Sequence, residues 1–172
     1  MSALLFTKST LTRSKDEVYV AAVALRATKG PAQLLMSTAY SLSVWDLQHF
    51  MVIIKPSSPL LSQAIVFDFQ PEDPENIYTA LAALSGRAVP VTLGIGVVLT
   101  RKLRKLPRSR CWFVGYAEGN AVDKAYDFNN TWEVDLRIGL HDCRDYTNGL
   151  VEQLTGEKLV LEHLRRRNGG QS

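Results

Sequence analysis

Two residues of this chain have types and positions that could do chemistry together: Cys143 and His49. In the segment LHDCRDYTNGLVEQLTG, Asp142 stands where an N-cap belongs, and Cys143, Tyr146, Thr147, Leu150 and Leu154 share one helical face before Gly156 ends the pattern. Cys143 is therefore predicted in the first turn of a helix. Unpaired backbone N–H groups at a helix start carry partial positive charge, which favours thiolate over thiol, and a nearby imidazolium adds to the effect. A thiolate is a nucleophile, and nucleophilic catalysis needs a base within hydrogen-bond reach and commonly a third group that orients the base.

His49 is the best base available. It lies in QHFMVII, where alternation puts His49, Met51 and Ile53 on one face. The next apolar run, AIVFDFQ, carries Asp68, a carboxylate that wants a partner in such surroundings. If the two runs form a hairpin across residues 56–63, the stretch from Asp68 to Gln70 comes opposite the start of the His49 strand, and Asp68 can hold the imidazole by its second nitrogen. Gln48 has the donor chemistry of an oxyanion hole, but alternation points it away from His49, so the backbone N–H of Cys143 is the better donor. His141 is poorly placed as a base only two residues before Cys143, and His163 reads as a surface residue beside Arg165, Arg166 and Arg167. Cys111, within CWFVGY and without a cap or a histidine nearby, reads as a core residue.

The elements that must position these groups follow from pattern and punctuation. Strands are expected over Val18–Ala27, Leu34–Leu42, Trp45–Lys55, Ala64–Gln70 and Cys111–Tyr116, paired as antiparallel neighbours. A helix is expected where Asp73 caps, Pro74 follows and Gly86 stops. Residues 89–99, apolar with Gly94 and Gly96, fit either a bulged strand or a looped insert. A second helix begins after Asn120 and runs to Thr131 or Trp132, EVDLRIG is extended, and the cysteine helix and a terminal LEHLRRR helix complete the chain. The fold class is α+β: an antiparallel sheet with flanking helices.

The totals bound the function. A chain of 172 residues that is 46% hydrophobic makes one domain, expected over 16–168 after a flexible segment 1–15. That segment lacks acids and carries Ser, Thr, Lys and Arg, a composition shared with transit segments of organelles such as plastids. Twenty basic and 17 acidic residues give +3, too small an excess to require nucleic acid or an anionic membrane. The six basic residues between Arg101 and Arg110 precede Trp112 and Phe113 rather than interleave with them, so a solvated loop or strand edge is expected there and a nucleic-acid partner is not. Apolar runs are broken before the ~18 residues that a membrane span needs. Two cysteines suit a reducing compartment, with the cytoplasm the simplest location. There is no P-loop, no complete dinucleotide fingerprint and no metal-ligand spacing, so the expected chemistry uses neither cofactor nor metal.

The order of these parts, with the histidine strand first, a polar residue on the next strand and the cysteine at the head of a late helix, resembles the circularly permuted papain-like proteins, the lecithin retinol acyltransferase and NlpC/P60-like group. In that group a segment of the type Asn-Cys-Glu-His-Phe-Val carries the nucleophile, and here the comparable residues are His141-Asp142-Cys143-Arg144-Asp145-Tyr146. The likeness covers residues 45–70 and 140–156, and the whole layout is also similar to that of an uncharacterised plant family. Asp68 stands where the group often has a second histidine, and Asp142 replaces the usual asparagine, placing a carboxylate that opposes thiolate formation. The resemblance implies a permuted papain-like arrangement. It also implies a hydrolase or acyltransferase in which Cys143 attacks an amide, ester or thioester of an acyl or peptide substrate, His49 is the base and Asp68 orients it. The alternative is a catalytically silent domain that binds a protein partner through the basic stretch and the terminal helix.

Overall fold

In the computed structural model, which describes residues 15–24, 33–34, 37–38, 41–42, 45, 48–58, 63–72, 95–137 and 139–169, the first apolar run forms β1 (Asp16–Ala24). The runs around His49 and Asp68 form β2 (Gln48–Lys55) and β3 (Ala64–Pro71), and the first three residues of the basic stretch complete β4 (Gly96–Leu103), followed by β5 (Cys111–Ala117). Three helices follow: α1 (Ala121–Thr131), α2 (Cys143–Thr155) and α3 (Val160–Gly169). The protein is α+β, with a five-stranded antiparallel sheet in the order β4-β3-β2-β1-β5.

Alternation assigns the two faces of the sheet. Val18, Val20, Ala22, Phe50, Val52, Ile54, Phe67 and Phe69 pack with α1, α2 and α3, while Ala21, Met51, Ile53, Ala64 and Val66 form a second cluster on the other face. The second face is covered by the chain itself. β4 and β5 are consecutive in sequence yet lie at opposite edges, so residues 104–110 must cross about 19 Å of sheet, four strand spacings, and Leu106 packs on that cluster as they do so. Burial on both sides accounts for β2 being buried throughout except at Lys55.

α2 carries the central helical stripe, with Tyr146, Leu150, Val151 and Leu154 all buried against the sheet. Its start is set by a capping box in which Asp142 accepts from Arg144 N–H at 2.8 Å while Asp145 accepts from Asp142 N–H at 3.0 Å. Gly156, in the left-handed region at φ 79°, ends it. α3 spends its apolar side, Val160, Leu161 and Leu164, on the same core, leaving its charged face outside. None of the helices among the described residues is long and apolar enough to cross a membrane.

Three expectations are corrected or refined. The strand expected over Leu34–Leu42 is helical at its described residues up to Ser41, with Leu42 in a turn: Leu42 N–H donates to Thr38 C=O at 2.9 Å, and the Thr38 and Ser41 hydroxyls donate back to the carbonyls of Leu34 and Ser37. The apolar run there has no period-2 alternation, and its hydroxyls satisfy a helical backbone as readily as an extended one. The run expected from Trp45 begins its strand only at Gln48. Of the ambiguous stretch 89–99, residues 96–99 are strand, where Gly96 admits the ring of Phe69 in the space a Cβ would fill. The helix expected from Asp73 to Gly86 lies outside the described residues.

Asp16 ties the sheet to the helical layer. Its buried carboxylate accepts Ser57 N–H at 2.8 Å, the Ser57 hydroxyl at 3.0 Å and the first N–H of α1, that of Ala121, at 3.1 Å. Asp16→Ala leaves two backbone donors without their acceptor and is expected to cost about 2–3 kcal/mol, read as a lower urea midpoint with an unchanged slope.

Candidate active site

The two strands form the expected antiparallel hairpin, but the pairing stops short of Asp68. Ile54, Ile53 and Val52 of β2 pair with Ile65, Val66 and Phe67 of β3, and the ladder stops there. Beyond Val52 the two strands continue without pairing to each other, β2 staying on β1 as far as Gln48–Ala24 and β3 on β4 as far as Pro71–Gly96. His49 and Asp68 lie on either side of this opening. The Asp68 carboxylate, 2% exposed, accepts a hydrogen bond from His49 Nε2 through Oδ1.

The head of α2 reaches the same place. Cys143, at the first position of α2, is near enough for its charge to act on the His49 imidazole, whose Nε2 is committed to Asp68. Burial alone pushes the imidazole towards its neutral form. The Cys143 charge, the hydrogen bond His49 donates to Asp68 and the Asp68 charge outweigh it and hold His49 up at about 10. The structure thus brings together Cys143, His49 and Asp68, the three residues singled out from the sequence.

Asp142 behaves differently from the expectation that its carboxylate would oppose a thiolate. It accepts from Gly139 N–H at 2.6 Å and from the Arg144 guanidinium at 2.9 Å. Burial pushes its carboxyl up, but Arg144 and the two backbone donors hold it below the usual carboxylate value, so the charge beside Cys143 is already paired. The cap uses the Arg144 N–H and leaves the Cys143 N–H, at the first position of the helix, outside it.

The other candidates go elsewhere. His141 stacks on Trp132 with centroids 4.4 Å apart and its Nε2 lies 2.9 Å from the Glu133 carbonyl. His163 is at the surface, 2.6 Å from Glu157. Cys111 joins the second cluster, and burial pushes its thiol up. Gln48 shares its parity with Phe50, Val52 and Ile54, the side that carries α2, and its buried Oε1 has no hydrogen-bond partner among the described residues.

One partner was missed altogether. Arg101 of β4 approaches Asp68 Oδ2 at 3.6 Å. The β3–β4 register that brings it there was not readable while residues 89–99 were ambiguous.

A cavity of about 260 Å³ is lined by Trp45, Arg144, Asp145, Asn148 and Leu161 among others, and by neither Cys143 nor His49. The described residues contain no group of three His, Cys, Asp or Glu side chains able to hold a metal ion. No family model, curated protein or solved structure matches this chain.

The raised His49 value has a signed consequence for stability. A folded-state value above the unfolded one, roughly 6.5, contributes stability that is whole below about pH 6.5. That contribution is lost as pH rises through about 10. Urea midpoints of the wild type should therefore fall from pH 7 to 10 relative to those of His49→Gln, and a constant difference across that range would refute a protonated His49.

Proposed function

We propose that this protein is a cysteine-dependent hydrolase or acyl-transfer enzyme with a permuted papain-like arrangement, acting on an amide, ester or thioester. The observation that supports it is the buried His49–Asp68 hydrogen bond on Nε2, with Cys143 at the head of α2 near enough to act on the same imidazole. Asp68 holds the ring and stabilises its positive charge, so His49 and Cys143 form an imidazolium–thiolate pair rather than a neutral one.

In this reading the sulfur attacks the carbonyl carbon and the developing oxyanion lies at the head of α2, where the Cys143 N–H and the positive end of the helix meet it. The tetrahedral intermediate collapses as His49 gives its proton to the leaving nitrogen, oxygen or sulfur, leaving a thioester on Cys143. Neutral His49 then takes a proton from water or an acceptor nucleophile, which attacks the thioester and returns Cys143 to the thiolate. Water gives hydrolysis; another nucleophile gives acyl transfer.

The competing reading is a silent domain that binds a partner, and the observation favouring it is that Cys143 is only 9% exposed. Alkylation separates the two, with Cys111 as an internal standard whose thiol is raised by burial. At about pH 6 the active reading expects iodoacetamide to modify Cys143 on the order of 100-fold faster than Cys111, with the advantage lost in His49→Ala. Hydrolysis of a panel of fluorogenic thioesters and esters should drop about 1,000-fold or more in Cys143→Ser. Equal alkylation of the two cysteines, unaffected by His49→Ala, would establish the silent domain.

A further inference from the structure

The basic stretch from Arg101 to Arg110 has no part in the chemistry so far described, and its first residue differs from the rest. Arg101 lies in β4 opposite Val66 of β3, and its side chain crosses to the far oxygen of Asp68 at 3.6 Å while Nη2 lies 3.2 Å from Met51 Sδ. Arg101 is partly exposed like Lys102, Arg104, Lys105 and Arg108, but it alone of these five pairs with Asp68. The two oxygens of Asp68 thus have separate partners: Oδ1 on His49 Nε2 and Oδ2 towards Arg101.

A carboxylate on a short side chain turns broadly about its last torsion. A single hydrogen bond to a ring nitrogen leaves the plane of the group poorly defined. A cation on the other oxygen defines it, and Met51 beneath the guanidinium limits where that cation can stand. We propose that Arg101 is a positioning residue of the Cys143–His49–Asp68 site, holding the Asp68 carboxylate so that Oδ1 stays on His49. The inference deepens the reading of His49 as an oriented base and rests on it for its catalytic meaning.

The charges facing Asp68 make the role testable by sign. They are His49 from β2, Arg101 from β4 and Tyr146 from α2, with Cys143 of α2 acting on His49; burial first, and the Asp68 charge second, push the Tyr146 phenol up, so it stays neutral here. If Arg101 were only a background cation, removing it would make the imidazolium easier to form and raise the His49 titration midpoint. If Arg101 positions Asp68, removing it frees the carboxylate to turn from the ring, and the midpoint falls.

The experiment follows the imidazole resonances of His49 by NMR titration in the full chain, in wild type, Arg101→Met, Arg101→Lys and Lys102→Met. Positioning predicts a midpoint lower by about one pH unit in Arg101→Met, substantial recovery in Arg101→Lys, and no change in Lys102→Met. A higher or unchanged midpoint in Arg101→Met overturns the proposal, as does an equal fall in Lys102→Met. Iodoacetamide kinetics of Cys143 against Cys111 in the wild type test the catalytic reading separately, since the His49 titration reports on Arg101 whether or not Cys143 is a nucleophile.

Discussion

Burying the Asp68 carboxylate between Phe67 and Phe69 costs several kcal/mol unless its charge is met by partners of good geometry. Those partners come from two neighbouring strands, His49 from β2 and Arg101 from β4. Neither could reach it if the strands slipped by one residue, since a slip sends every side chain to the other face. The pair is therefore a strong constraint on register in the middle of the sheet, where apolar side chains alone would tolerate alternatives. The same constraint gives the imidazole a defined orientation.

Around that pair the sheet does two opposed things. From Lys55 to Val52 it is continuous and covered on both faces, by helices on one side and by Leu103 and Leu106 on the other. Past Val52 the β2–β3 ladder ends, and His49 lies beside the opening with Cys143 near enough to act on it. α2 reaches it because its apolar stripe, from Tyr146 to Leu154, is long enough to anchor the helix firmly on the sheet while its first turn extends to the opening. Tyr146 is part of this anchoring: it packs among Phe69, Phe128 and Trp132 and donates to Asn129 Oδ1 at 2.6 Å. Packing of the helix and placement of the sulfur are thus one event. The proposed nucleophile borrows its position from a core that would form for stability alone.

Local signals in the chain were informative in proportion to how completely one short segment satisfies its own physics. The caps of α1 and α2 are read from Asn120, Asp142 and Gly156 because a helix end is settled by residues within one turn of it. β2 and β3 are legible for the same reason, with Pro56 closing one run and alternation running through the other. Residues 34–42 misled because Leu34, Thr38 and Ser41 can satisfy a helix or a strand, and only their surroundings choose. In sequence Asp142 is an unpaired charge next to Cys143, whereas in the fold Arg144 turns back onto it.

What the chain determined by itself is the inventory and its local frames: a cysteine in the first turn of a capped helix, a histidine near the start of a buried strand, and a carboxylate on the strand that follows. These need only neighbours in sequence, whose geometry is set by backbone sterics and capping. What only the tertiary structure decided is everything that joins separate segments: the end of the β2–β3 ladder beside His49, the crossing of residues 104–110 that sends β5 to the far edge, and the arrival of Arg101 at Asp68. Those depend on the register of strands distant in sequence and on how the whole core closes over them, and short-range spacing carries no record of either.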